Sequence, residues 1–214
     1  MPHIEPKRYA VVSCHVERPL DDRAWAAFAR IQEERPGGFA IAALMRPPDA
    51  GAGEPEEPWL ERARSVTGPF GLHTHWTSPT HARPTGGDPG ERVRREGAWL
   101  RDQGLDATLF CGGGWYMDDG VRAAVAELGY ADCTPRDGGP RRTRDLVELP
   151  TTRSVGQLAR GVVSRLDEPV VHAYFHDYDL LDSSRRSALV WSLRVLARRR
   201  EATDLDWLRE AFAR

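Results

Sequence analysis

The sequence predicts an α/β fold in which a parallel sheet is covered by helices. Three observations predict it. Strand-like and helix-like patterns alternate along the chain, about seven of each. The strand patterns are apolar on both faces, as in a sheet buried between layers. Gly, Pro and Asp clusters separate the segments at short intervals. A nearly closed barrel and an open doubly wound sheet both satisfy this pattern, and no internal repeat is visible.

Residues 9–14 read as the first strand. Asp21 and Asp22 then cap a helix whose apolar residues recur at helical spacing, and Gly37-Gly38 stops it. Residues 39–45 form a second strand, 46–57 a loop, 59–66 a short helix and 70–73 a third strand. Residues 77–90 form a Pro/Gly loop long enough to fold over a site. An amphipathic helix covers 90–103, followed by a strand over 108–111 that runs into Gly112-Gly113-Gly114. Asp118 or Asp119 caps a helix to Glu127, which Gly129 ends. Short strands follow at 130–133 and 146–149, a helix at 154–166 and a last strand at 170–175. Asp182 or Ser183 opens a long helix to Arg198, and Asp204 opens a final one.

The chain has 214 residues, 40% hydrophobic and 29% charged, which suits a single domain spanning 1–214 with a sizeable core. A net charge of −2 offers no footprint for nucleic acid. No apolar run is long enough for a membrane span, and the first eight residues lack the apolar core of a signal peptide. A cytoplasmic protein is therefore expected. Cys14, Cys111 and Cys133 are odd in number and lack C-x-x-C spacing, which argues against a disulfide framework. Strand ends gather all three, so the cysteines are expected to lie near one mouth, as small buried hydrophobes or as a thiolate ligand.

Five of the seven histidines fall in three apolar segments with polar tips: Tyr9 to Glu17, Phe70 to Trp76, and Val170 to Asp177. In parallel barrels the C-terminal strand ends converge on one mouth, which is where chemistry collects. His73 and His75 are two apart on a strand end, so both imidazoles share one face and can reach one ion. Glu17 could supply an oxygen to the same ion. His176 is flanked by carboxylates that could set its tautomer, which suits acid or base work near neutral pH. Trp76 and Trp115 lie just past strand ends, placed either to stack on a sugar or to plug the mouth. His172 reads as a core histidine, His81 as a surface residue with a reserve role as ligand, and His3 as an end residue.

The order of these motifs resembles the polysaccharide deacetylase superfamily (NodB homology, carbohydrate esterase family 4). The residues that carry the resemblance are Ser13-Cys14-His15-Val16-Glu17, Gly71-Leu72-His73-Thr74-His75-Trp76, Phe110 to Trp115, Leu128-Gly129-Tyr130 with Asp132-Cys133-Thr134-Pro135, and His176-Asp177-Tyr178-Asp179-Leu180. The resemblance implies an incomplete (β/α)7 barrel. It implies a divalent metal, usually zinc, on Glu17, His73 and His75, and a small-molecule or oligosaccharide substrate. His15 takes the general-base position, and His176 the general acid with Asp132 as orienting partner. Trp76, Cys111, Gly113, Trp115 and Asp177 fall at the substrate end. The Gly112–Gly114 backbone would offer N–H groups to an oxyanion. The implied reaction is removal of an acyl group from a sugar or related small amide. A homo-oligomer is compatible with these features.

This chain departs from the family pattern at three places. His15 stands where the family has an aspartate base, so it could accept a proton or enter the metal shell. Cys111 replaces an arginine. The usual second histidine, four after the first, is Thr77, so His75 or His81 must serve. These departures define the alternative: a catalytically degenerate barrel that binds a sugar-like ligand or a protein.

Overall fold

The computed structural model describes residues 8–161 and 168–213. In chain order the elements are β1 (Tyr9–Val16), α1 (Asp22–Glu34), β2 (Ala42–Met45), α2 (Glu56–Arg64), β3 (Phe70–Thr74), α3 (Pro89–Asp102), β4 (Leu109–Gly112), α4 (Asp119–Leu128) and β5 (Ala131–Asp132). Then come β6 (Arg141–Arg142), β7 (Val147–Glu148), β8 (Arg153–Ser154), α5 (Val155–Gly161), β9 (Val170–His176), α6 (Ser183–Ala197), β10 (Glu201–Ala202) and α7 (Leu205–Ala213).

One curled sheet runs β6-β7-β5-β4-β3-β2-β1-β9-β8, with β10 pairing β1. Every pairing is parallel except β6 with β7. The sheet forms a half-barrel wrapped by helices. Residues 147–154 draw its edges together. Leu149 N–H donates to Asp132 O and Thr151 N–H to Pro135 O on one side, while Thr152 N–H donates to His172 O on the other. A bent segment can do this because its backbone groups must all find partners, and here they find them on two strands.

Strand alternation divides the core. Val11, Leu44, Leu109, Cys111, Ala131 and Cys133 face the barrel interior, whose floor is closed by Leu205 and Leu208 of α7. Ala10, Val12, Cys14, Leu72 and Phe110 face the helix layer with Phe28 and Leu193. Cys14 therefore points away from the other two cysteines, and the expected clustering of three reduces to Cys111 and Cys133 inside. All three are buried and unpaired.

Capping agrees with the sequence. Asp21, Asp88, Asp118 and Asp182 each accept from first-turn N–H groups, contacts worth about 1 kcal/mol apiece. Gly129 closes α4 in the left-handed region at φ 74°. The first helix stops earlier than Gly37, because Arg35 itself turns left-handed at φ 42° and Pro36 cannot continue it. Helix α2 starts at Glu56, before the expected Trp59, since two acids and Pro58 suit a first turn. Residues 39–41 precede β2 as irregular chain. The short β6, β8 and β10 carry too few residues to show a period. The expected helix over 154–166 is seen as Val155–Gly161; its remainder, like His3, lies outside the described residues. No helix among the described residues is long and apolar enough to cross a membrane.

Candidate metal centre

The parallel register brings the polar strand tips together. His15 pairs with His176 across β1 and β9, and His73 with Cys111 across β3 and β4. Glu17 follows the end of β1. Its Oε1 lies 3.7 Å from His73 Nε2, 3.7 Å from His75 Nε2 and 3.6 Å from His176 Nε2. The ligand atoms of Glu17, His73 and His75 all lie within 4.8 Å of one another.

Backbone carbonyls fix both imidazoles. His73 Nδ1 sits 2.9 Å from Cys111 O, and His75 Nδ1 2.9 Å from Pro79 O. A carbonyl only accepts, so each Nδ1 carries the proton and each Nε2 presents a lone pair. Both Nε2 atoms are buried and lack a hydrogen-bond partner. Two orphaned lone pairs facing a carboxylate are what a divalent cation would satisfy, so these residues fit the metal that the resemblance implies. Burial disfavours charge on Glu17, yet the His73 and His75 imidazoles beside it outweigh burial and hold the carboxyl well below the usual range. Pro79 belongs to the 77–90 loop, which turns back through Thr77 Oγ1 to Arg83 O at 2.7 Å. That loop supports His75. His81 is exposed on it and is not among the grouped ligands.

His15 is 2% exposed, and its Nε2 has no partner. Burial, then the neighbouring His73 and His176, push its pKa well below the ordinary value, so the ring is neutral. Tyr174 stacks on it at 5.2 Å and Trp115 tilts against it at 5.3 Å. Trp115 is half-buried on the rim with the Arg136 guanidinium 4.7 Å above its ring, and so it does face the mouth. His176 lies at the rim, stacked on Tyr178 at 4.8 Å. Its Nδ1 is 3.4 Å from Asp179 Oδ2, and Asp179 is tied to Arg185 at 2.7 Å. Those two contacts overcome burial and hold Asp179 down at about 2.

Several expected roles fall elsewhere. Asp132 is not beside His176. It lies between the interior-facing Ala131 and Cys133, so strand alternation turns it toward the helix layer. There Oδ1 accepts from Thr134 N–H at 2.8 Å, and Thr134 Oγ1 accepts from Gly112 N–H at 2.9 Å. The carboxylate that faces His176 is Asp179. The Gly112 N–H is thereby spent and is not free for an oxyanion. Gly113 O accepts from Trp76 Nε1 at 3.1 Å, and Trp76 packs into the helix layer against Tyr116. Trp76 is a packed residue of the helix layer, neither a plug of the barrel mouth nor an open sugar platform. Asp177 is fully buried and accepts from Arg18 and Tyr178 N–H, so it clamps the ends of β1 and β9 together rather than meeting substrate. His172 is the core histidine expected, 2.8 Å from Ser13 Oγ. Sequence reasoning missed Tyr174, Tyr178, Arg136 and the Pro79 carbonyl. Only Tyr174 carried a signal, two residues from both His172 and His176 on the inner face.

Asp132 gives a pH prediction. Burial raises its pKa from 3.8 to about 6, aided by nearby Glu148 and opposed by Thr134. A folded pKa above the unfolded one means stability that is fully present below about pH 4 and lost as pH rises through 6. Asp132→Asn keeps the acceptor for Thr134. It is expected to unfold later than wild type above pH 7, by on the order of 2 kcal/mol, with the gap closing near pH 4. Urea unfolding at both pH values checks this; an equal gap at both would contradict it.

No family model matches the sequence, and no curated protein does. Solved structures do match. A Mycobacterium smegmatis protein assigned as a polysaccharide deacetylase aligns over 100% of this chain and 93% of its own, with a TM-score of 0.68 and 14% identity. A CE4 family pseudoenzyme from Bacillus anthracis aligns over 94% of this chain and 65% of its own, with a TM-score of 0.59 and 11% identity. A family 4 carbohydrate esterase from Streptomyces lividans, solved with acetate, covers 90% and 88%, with a TM-score of 0.51 and 10% identity. The chain thus has the fold of the CE4 polysaccharide deacetylases, the barrel its motif order implied.

Proposed function

We propose that the protein is a metal-dependent hydrolase that removes an acyl group, N-acetyl in the first instance, from a carbohydrate or a related small amide. The observation that carries this reading is the pair of orphaned Nε2 lone pairs of His73 and His75 facing the Glu17 carboxylate. Glu17, His73 and His75 would hold the divalent cation, with zinc the first candidate. A cation held there supplies Lewis acidity for a carbonyl oxygen and makes water more acidic. The remaining work falls to protein groups. His15, kept neutral by burial, accepts a proton at its unpartnered Nε2. His176 delivers a proton from Nε2 to the leaving nitrogen, while Asp179 holds its Nδ1 side. Trp115, Tyr174 and Tyr178 wall the mouth and shield these transfers from bulk water. The carbonyls of Cys111 and Pro79 keep both ligand imidazoles oriented.

A specific observation favours a second reading. His15 occupies the family's aspartate position and is 2% exposed, so proton exchange with solvent is restricted. In that reading the barrel binds a sugar-like molecule without cleaving it. Acetate release from a panel of N-acetylated amino sugars decides between them. The hydrolase reading expects release that needs added zinc or a similar ion and stops with chelator. Saturable binding of the same sugars without release would instead support the binding barrel.

A further inference from the structure

A second set of ligand atoms shares His73 and His15 with the reaction proposed above and adds Cys111, which that reaction does not use. The candidate ligand atoms of His15, His73 and Cys111 lie within 4.8 Å of one another. All three residues are buried, and His15 Nε2 and His73 Nε2 have no partner. Leaving such nitrogens unsatisfied is costly. The Cys111 sulfur makes only a weak contact, 3.9 Å to Gly112 O. Strand geometry builds the set: Cys111 pairs with His73 across β4 and β3 and points into the barrel interior, where His15 also lies.

We propose that the barrel interior carries a second cation position, formed by His15, His73 and Cys111, that takes a thiophilic divalent ion. Two imidazoles and a thiolate are a soft set, which favours cadmium over magnesium or manganese. As the metal–sulfur bond forms, the Cys111 thiol releases its proton to solvent. His73 Nδ1 is committed to Cys111 O, so its single free nitrogen serves one ion at a time. Hard ions go to the Glu17 set, and soft ions are drawn to the sulfur set, leaving Glu17 unligated. This inference does not depend on amide hydrolysis, though it shares His15 and His73 with that reading.

Cadmium titrated into the reduced, metal-free full chain tests it. Wild type is expected to develop a sulfur-to-cadmium charge-transfer band that saturates at about one equivalent. Glu17→Gln/His75→Ala should keep the band. Cys111→Ser should lose it while retaining the wild-type circular dichroism. Cadmium NMR of the wild type reads sulfur ligation without any variant. A band absent from wild type, persisting in Cys111→Ser, or lost in Glu17→Gln/His75→Ala would overturn the inference. Manganese binding reads the Glu17 set separately. It should weaken at least about tenfold in Glu17→Gln/His75→Ala and survive in Cys111→Ser.

Discussion

Replacing both His73 and His75 by alanine is expected to lower kcat/KM for an acylated substrate about a thousandfold or more. The two side chains supply both nitrogen ligands of the proposed set, and Lewis-acid stabilisation is worth several kcal/mol, with about 1.4 kcal/mol per tenfold in rate. Fold loss does not account for an effect of that size. Nε2 of each ring makes no protein hydrogen bond, and the sheet's register is held by backbone pairing. Truncation leaves the Cys111 and Pro79 carbonyls without imidazole donors, a modest stability cost of about 1–3 kcal/mol each. Circular dichroism beside the kinetics separates the two effects. A double variant that is folded and retains more than a tenth of wild-type activity would refute the ligand assignment.

His176→Gln is expected to lower kcat by about 10²–10⁴ with little change in KM. Glutamine keeps a polar group beside Asp179 but cannot deliver a proton at the Nε2 position. A substrate whose leaving group needs no proton should be nearly indifferent to the change. If His176→Gln slowed both substrates equally, His176 would be a positioning residue, acting through the stacked Tyr178 and through Glu17 at 3.6 Å.

Much of the barrel was legible because parallel strands and amphipathic helices leave different periods. The longer elements, β1, β3, β4, β9, α3, α4 and α6, all fall within two residues of their expected bounds, with β1 running on furthest, to Val16. The two-residue strands were not legible, since two residues have no period. Of the site, the i, i+2 spacing pointed to His73 and His75 only in the company of His15, Glu17 and His176, and the meeting of their atoms needed the strand register, which local sequence does not encode. The motif pattern misled at Asp132 and Asp177. A carboxylate at a strand tip looks the same in sequence whether it faces in or out. Alternation decided the first against the interior, and full burial with two backbone donors decided the second. The carboxylate on His176 is Asp179, three residues along, because the short 3-10 turn after β9 folds it back.

The most direct test is the metal content of untagged protein, measured by plasma mass spectrometry for wild type and His73→Ala/His75→Ala side by side. The account predicts about one equivalent of zinc or a similar ion in wild type and its loss in the double variant. Wild-type protein that holds no metal, even after incubation with excess zinc, would contradict it.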